Sequence, residues 1–116
     1  MNAAALELPG LDKIRARFVE MLEERSSRIA QHALAAWDAE TAEEINRNLS
    51  DAKDILHQIA GSAGTVGFPE LGAMAQECEM EIIAHLDGEY ADLAVCPGQI
   101  IWRIDGFVAS CLELRT

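Results

Sequence analysis

The sequence predicts an all-α protein, an antiparallel four-helix bundle, and three observations support this fold class. Half of the 116 residues are hydrophobic but only 5% are aromatic, so aliphatic side chains and alanine must build the core. Only three prolines occur, and no long alternation of Val, Ile and Thr, the pattern of half-buried strands, is present. Four amphipathic segments follow one another, as a bundle of antiparallel helices requires. The length fits one domain, which we expect over residues 9–116, behind a short tail at residues 1–8.

The first helix is predicted from about Leu11 to Trp37, directly after the punctuating pair Pro9-Gly10. Its apolar side chains recur every three or four residues and define one inward stripe. The inward residues are Leu11, Ile14, Phe18, Leu22, Ile29 and Ala33. Polar residues from Arg25 to Ser27 interrupt this stripe, so the sequence allows a bend, or an extra short helix, in the N-terminal half of the chain.

A second helix is predicted from Ile45 to about Val66, introduced by Thr41-Ala-Glu-Glu44, which has the spacing of a capping box. Its inward stripe consists of Ile45, Leu49, Ala52, Leu56, Ile59 and Ala63. The polar stretch from Asn46 to Ser50 offers a break, but the stripe stays in phase through it, which favours one continuous helix. Gly67 is expected to end this helix, because glycine readily takes the positive φ of a C-terminal cap.

The third helix is predicted from Pro69, a residue suited to the first turn, to the region of Asp87-Gly88. Its inward residues are Leu71, Met74, Ala75, Cys78 and Ile82. Residues 87–98 are predicted to form the one long loop. Pro97 then opens a last helix, whose inward residues are Ile100, Ile104, Phe107, Val108 and Cys111.

The bulk charge and the cysteines exclude several classes of function. A formal net charge of -11 disfavours nucleic acids and anionic membrane surfaces, both of which require a basic surface. The three cysteines include no close CxxC pair, so neither a disulfide framework nor a structural zinc site is expected, and Cys78 and Cys111 should be small buried residues. No secretory signal and no stretch of roughly 20 apolar residues that could span a membrane is visible. We therefore expect a cytoplasmic protein.

The segment from Asp54 to Gly67 combines one histidine, His57, with three glycines on an amphipathic helix. A glycine inside a helix costs about 1 kcal/mol relative to alanine, so its repeated use indicates backbone that must stay bare. At about 100° per residue, His57 lies just off the apolar stripe, with Gly61 and Gly64 on its C-terminal side. The imidazole should therefore project into open space. The alternative is that Gly61 and Gly64 let two helices pack tightly, with His57 uninvolved.

An exposed neutral imidazole can attack a phosphoryl group and hold it as a phosphoramidate. Lys53, one turn before His57 on the same face, is a candidate cation for the phosphate, although a solvated surface lysine is an equal alternative. Gln58, adjacent on the surface, is a candidate hydrogen-bond donor.

The segment HQIAGSAGTVGF, from His57 to Phe68, resembles the signature of histidine-containing phosphotransfer (HPt) domains. The matching positions are Ile59, Gly61, Ala63 and Gly67, followed by Phe68-Pro-Glu-Leu71. The resemblance implies a carrier protein that takes phosphate from an aspartate of one receiver domain, holds it on His57 and passes it to another receiver. The implied partners are response-regulator receiver domains, including those of hybrid histidine kinases. Many family members carry a basic residue where this chain has Ala60, and Lys53 is the candidate replacement.

Nothing in the sequence indicates a nucleotide site. Neither a Walker-type GxxxxGK[ST] segment nor a glycine-rich nucleotide lid occurs, so phosphate must come from a partner and the chain is not expected to be an enzyme with its own ATP site. The Mg²⁺ that such transfer uses is expected in the acidic cluster of the receiver. No cofactor and no metal are assigned to this chain.

Two alternatives remain open at this point. One is a metal-binding bundle, because Asp54-x-x-His57 and the pair Glu81 and His85 resemble parts of a carboxylate–histidine site, although a second such motif and an inward glutamate are lacking. The other is a docking module that is not phosphorylated. Apolar atoms off the inward stripe of the third helix could either dock a receiver or pack against the first helix. They belong to Ala73, Met80, Ile83 and Ala84.

Overall fold

The computed structural model describes residues 10–114 and confirms the all-α class, since this range contains four helices and no strand. The four helices are α1 (Leu11–Asp38), α2 (Ala42–Ala63), α3 (Pro69–Leu86) and α4 (Gly98–Glu113). The predicted tail at residues 1–8 lies outside the described range. No helix among residues 10–114 is both long and apolar enough to cross a membrane.

The helices form an antiparallel ring in chain order. Each helix packs against its neighbours in sequence, and α4 closes the ring against α1; within the described range α1 does not contact α3, and α2 does not contact α4. The direction of each pair follows from contacts at the helix ends. Arg15 near the start of α1 donates a hydrogen bond to the carbonyl of Val66 after α2, and Trp37 near the end of α1 lies against Gly98 at the start of α4.

Helix α1 is one continuous helix, so the extra short helix that the sequence allowed in this part of the chain is not formed. Ser26, within the polar interruption, is buried in phase with the stripe and satisfies its hydroxyl by donating to the carbonyl of Glu23 at 3.1 Å. The inward placement of Ile14 was wrong, because its side chain is exposed, and Leu11 is only partly buried. The reason is length: α1 has 28 residues and α4 has 16, so α4 does not reach the first turns of α1.

Helix α2 is one continuous element, as predicted, and both of its caps follow from the sequence. The Thr41 hydroxyl accepts a hydrogen bond from the Glu44 amide at 3.1 Å, so the helix begins at Ala42 rather than at Ile45. After Ala63 the amide of Phe68 donates to the Ala63 carbonyl and the amide of Gly67 to that of Gly64. This pair of bonds, with φ +98 at Gly67, is a Schellman motif, and it confirms the capping role of Gly67.

The predicted bounds of α3 and the predicted start of α4 are confirmed to within a residue. Met74 and Val108 are only partly buried but still pack against the core, and Gly72 on α3 is buried although the pattern did not identify it. The loop between these helices is held by Asn46 of α2, whose side-chain amide donates to the carbonyl of Ala91 at 2.7 Å. The polar stretch of α2 therefore anchors the loop instead of breaking the helix.

Candidate functional site

His57 projects from the middle of α2 next to α3, and it meets a carboxylate there. Its side chain is 75% exposed, and Nδ1 lies 2.6 Å from Oε2 of Glu79 on α3. Glu79 itself is only 14% exposed. The site is thus an imidazole in solvent, backed by a carboxylate that is held between two helices.

The packing of α3 on α2 places Glu79. Ala75, Cys78 and Ile82 of α3 are buried, and Glu79 follows them on the edge that faces α2. Further along the same interface Gly72 is buried, and a Cβ there would lie 3.4 Å from Cβ of Ala63. That distance is an ordinary van der Waals contact, and the backbone atoms of Ala60 and Gly64 lie at 3.6 and 3.7 Å from the same point, so α2 and α3 pack closely here. Nearer the other end of this packed interface, the Glu79 carboxylate lies within hydrogen-bonding distance of His57.

The hydrogen bond assigns the two ring nitrogens of His57 different roles. An ionised carboxylate only accepts hydrogen bonds, so Nδ1 of the ring carries the proton that Glu79 accepts. In the neutral imidazole the lone pair is then on Nε2, the nitrogen remote from Glu79. The arrangement orients a nitrogen nucleophile toward solvent.

The glycines near His57 leave open space around the ring. Gly61 lies within α2 and Gly64 lies directly after its last residue. A Cβ built on either glycine would meet no atom within 4 Å. The alternative that they serve tight helix packing is therefore wrong for the described chain. Gly67, in contrast, is needed for its positive φ and lies beneath the guanidinium of Arg15.

The two predicted polar helpers lie on the surface beside His57. Lys53 is partly buried, and its Nζ lies 3.6 Å from the carboxylate of Asp54, so the cation already has an acidic neighbour. Gln58 is exposed. Ala60, at the position where many HPt domains carry a basic residue, is partly buried against the core, and its carbonyl oxygen lies near Gly72.

The off-stripe apolar residues of α3 are solvent-exposed rather than packed on α1. Met80 is 60% exposed and Ile83 40%, and Ala73 and Ala84 are exposed as well. Because these side chains are exposed, the alternative that they pack against the first helix is wrong. These side chains lie on α3, the helix that also carries Glu79.

The other histidines and the two buried cysteines lie in surroundings that differ from those of His57. His32 shares a hydrogen bond of 3.1 Å between Nδ1 and the Asn48 side chain, and His85 lies in the last turn of α3, where burial lowers its pKa. Burial raises the pKa of the Cys78 thiol to about 11 and that of Cys111 to about 12, which keeps both protonated at neutral pH. Among residues 10–114 no group of three or more His, Cys, Asp or Glu side chains is arranged to hold a metal ion.

Sequence reasoning missed Glu79, although a signal was present. The residue follows Ala75 by four positions and precedes Ile82 by three, so it lies at the edge of the apolar stripe of α3, where a carboxylate is seldom placed without a partner. The spacing of residues within α3 does not identify that partner, because the partner lies on another helix.

Comparison with known proteins identifies the family of the chain. A search of curated proteins and of solved structures found no significant match to the chain. The family model of the Hpt domain, however, matches residues 13–101. This range covers most of the chain and includes His57, the glycines that follow it and Glu79. The chain therefore belongs to the Hpt domain family, whose members carry phosphoryl groups on histidine in phosphorelays.

Proposed function

We propose that this chain is a phosphorelay intermediate that carries a phosphoryl group on Nε2 of His57 between the aspartates of receiver domains. The observation that carries this proposal is the 2.6 Å contact between Nδ1 of an exposed imidazole and a largely buried carboxylate. The carboxylate fixes the tautomer and the orientation of the ring, and both are what a nitrogen nucleophile requires.

Uptake of the phosphoryl group begins with attack by the lone pair of Nε2 on the phosphorus of a receiver acyl phosphate. The N–P bond forms, the bond between phosphorus and the aspartate oxygen breaks, and the aspartate leaves as a carboxylate. The ring becomes a phosphoimidazolium whose positive charge lies next to Glu79. The negative charge of Glu79 therefore stabilises both the transition state and the phosphorylated product, because it interacts more strongly with a cationic ring than with a neutral one.

The surroundings of His57 suit the approach of a receiver. The open space at Gly61 and Gly64 admits the rim of its active site, and Met80 and Ile83 offer apolar contact area on the neighbouring helix. Lys53 would add a weak attraction for the phosphate, reduced by the nearby Asp54. The Mg²⁺ of the reaction belongs in this proposal to the acidic cluster of the receiver.

The test is phosphotransfer from a panel of phosphorylated receivers to the wild-type chain and to three matched variants, His57→Gln, His32→Gln and His85→Gln. We expect labelling of the wild type that is acid-labile and base-stable, as a phosphoramidate is. Labelling should be lost in His57→Gln and kept in the other two variants, with helicity unchanged throughout. Normal labelling of His57→Gln would overturn the proposal, and a wild type that binds receivers without ever being labelled would favour the docking module instead.

A further inference from the structure

A second surface of the bundle, the groove between α1 and α4, has the features of an interface. The groove has a volume of about 440 Å³. Its walls are apolar, and Asp105 is the only charged residue among the described residues that line it. The principal lining residues are Ala33, Leu34, Trp37, Ile101, Trp102 and Val108.

Both tryptophans of the chain lie in this groove. Trp37 is 55% exposed and Trp102 is 74% exposed. Since a tryptophan buries up to about 250 Å² when it is fully covered, these two side chains together leave roughly 300 Å² in solvent. A standard interface buries about 800 Å² on each partner, so the tryptophans alone supply more than a third of that area. Leu34, also exposed, adds to it.

The charge of the chain restricts what can cover this groove. With 20 acidic and 9 basic residues, two copies repel each other over most of their surfaces. Repulsion is weakest where acidic side chains are few, and the groove is such a place. A strongly basic partner would find little to attract it there, because Asp105 is the single acidic group in the lining described.

The same face carries both an exposed side chain and a recess, which are the two parts that a symmetric contact between identical copies needs. Trp102 on α4 is 74% exposed at the edge of the groove that it helps to line, and the groove is large enough to accept an indole, since volumes of this size hold groups larger than one side chain. In a two-fold dimer the same patch meets itself, so a protrusion and a recess on one face are mutually complementary. We propose that a second copy of this chain covers the groove, with Trp102 of each copy in the recess of the other.

This dimer leaves the phosphotransfer site open. His57 lies on α2 beside α3, and the groove lies between α1 and α4. Because the helices form a ring in which α1 does not contact α3 and α2 does not contact α4 over residues 10–114, the two faces are on opposite sides of the bundle. Each copy therefore keeps its own accessible imidazole, and the proposal does not depend on the function proposed above.

The placement of the tryptophans provides a direct assay. Tryptophan fluorescence of the full chain reports on this groove, because both tryptophans line it. We expect the mass measured by sedimentation equilibrium to rise from one chain toward two between low and high micromolar protein, with a blue shift of the emission over the same range. Higher salt should strengthen association, since it screens the repulsion between acidic copies.

Three variants locate the contact. Trp102→Glu on α4 and Leu34→Glu on α1 each place a charge in the groove and should raise the dissociation constant at least about tenfold, the effect of losing a central apolar contact. Val95→Glu, at an equally exposed apolar residue of the loop before α4, is the matched control and should associate as the wild type does. Circular dichroism confirms that each variant is folded.

Three results would overturn the proposal. The first is a wild-type mass that stays at one chain with constant emission over the whole range. The second is a dimer that both groove variants leave unchanged, which would place the contact on another face. The third is a wild-type chain that remains monomeric while an added receiver shifts its tryptophan emission, which would assign the groove to a different protein.

Discussion

The hydrogen bond between Glu79 and His57 can be tested by removing it in two steps. Glu79→Ala deletes the carboxylate, and Glu79→Gln keeps an oxygen that can accept the Nδ1 proton but removes the negative charge. If Glu79 fixes the ring and stabilises the cationic product, both variants should slow phosphoryl uptake, and alanine should slow it more.

The size of the effect follows from the geometry. A hydrogen bond to a charged group contributes about 1.5–3 kcal/mol. The His57 ring is 75% exposed, so water replaces part of the lost interaction and the lower end of this range applies. Since about 1.4 kcal/mol of barrier is a tenfold change in rate, we expect Glu79→Ala to slow uptake roughly tenfold. A neutral hydrogen bond retains part of this contribution, so Glu79→Gln should slow it about threefold.

The assay is single-turnover transfer from a phosphorylated receiver, with Glu77→Gln as control. Glu77 is on the same helix but lies beside Arg103 of α4, away from His57, and its loss should leave the rate unchanged. Two further readouts separate an electronic role from a structural one. Nitrogen NMR should show a proton on Nδ1 of His57 in the wild type and a mixture of tautomers in Glu79→Ala, and the equilibrium should shift from phosphohistidine toward phosphoaspartate. Wild-type kinetics in Glu79→Ala would refute the reasoning.

Further expected outcomes concern the glycines and Lys53. Gly61→Ala, in open space, should raise the melting temperature by up to about 4–8 °C, because alanine adds about 1 kcal/mol of helix propensity. Gly61→Gln should fold equally well but bind receivers weakly. A collapse in the melting temperature of these variants, with normal receiver affinity, would contradict this expectation. Gly67→Ala should destabilise the bundle by ~1–2 kcal/mol because of its φ of +98, measured by denaturant unfolding, while Gly64→Ala, at a helical φ, should show no loss. Lys53→Ala should slow transfer only a few-fold, because its charge is already offset by Asp54 and a charge pair near the surface contributes about 0.2–1 kcal/mol. An unchanged rate would show that Lys53 is simply a surface residue.

The fold could be predicted almost entirely from local patterns. Helix bounds depend on caps and on apolar spacing, and both are determined by residues that are close in sequence. Examples are Thr41 before α2, Gly67 after it, and Pro69 at the start of α3. The error at Ile14 has a different origin. Its spacing fits the stripe of α1, but burial also requires an opposite helix, and α4 ends too early to cover that turn.

The site was only half predictable for the same reason. His57 and its glycines are adjacent in sequence, so the unusual glycine spacing pointed to them directly. Glu79 is 22 residues away from His57 in the chain, and their contact depends on the register between α2 and α3. That register is a feature of the tertiary packing of the two helices, which the periodicity of either helix alone does not reveal.

The site is confined to one helical hairpin. Every side chain proposed to act on phosphate lies on α2 or α3, whereas α1 supports them from behind through Arg15 and the stacking of Phe18 on Phe68 at 5.6 Å. Outside those two anchors, the outer surfaces of α1 and α4 are free to change without touching the relay chemistry. Surface residues on that half can therefore be exchanged, by evolution or by a designer, to alter thermal tolerance or assembly while the residues proposed to act on phosphate stay the same.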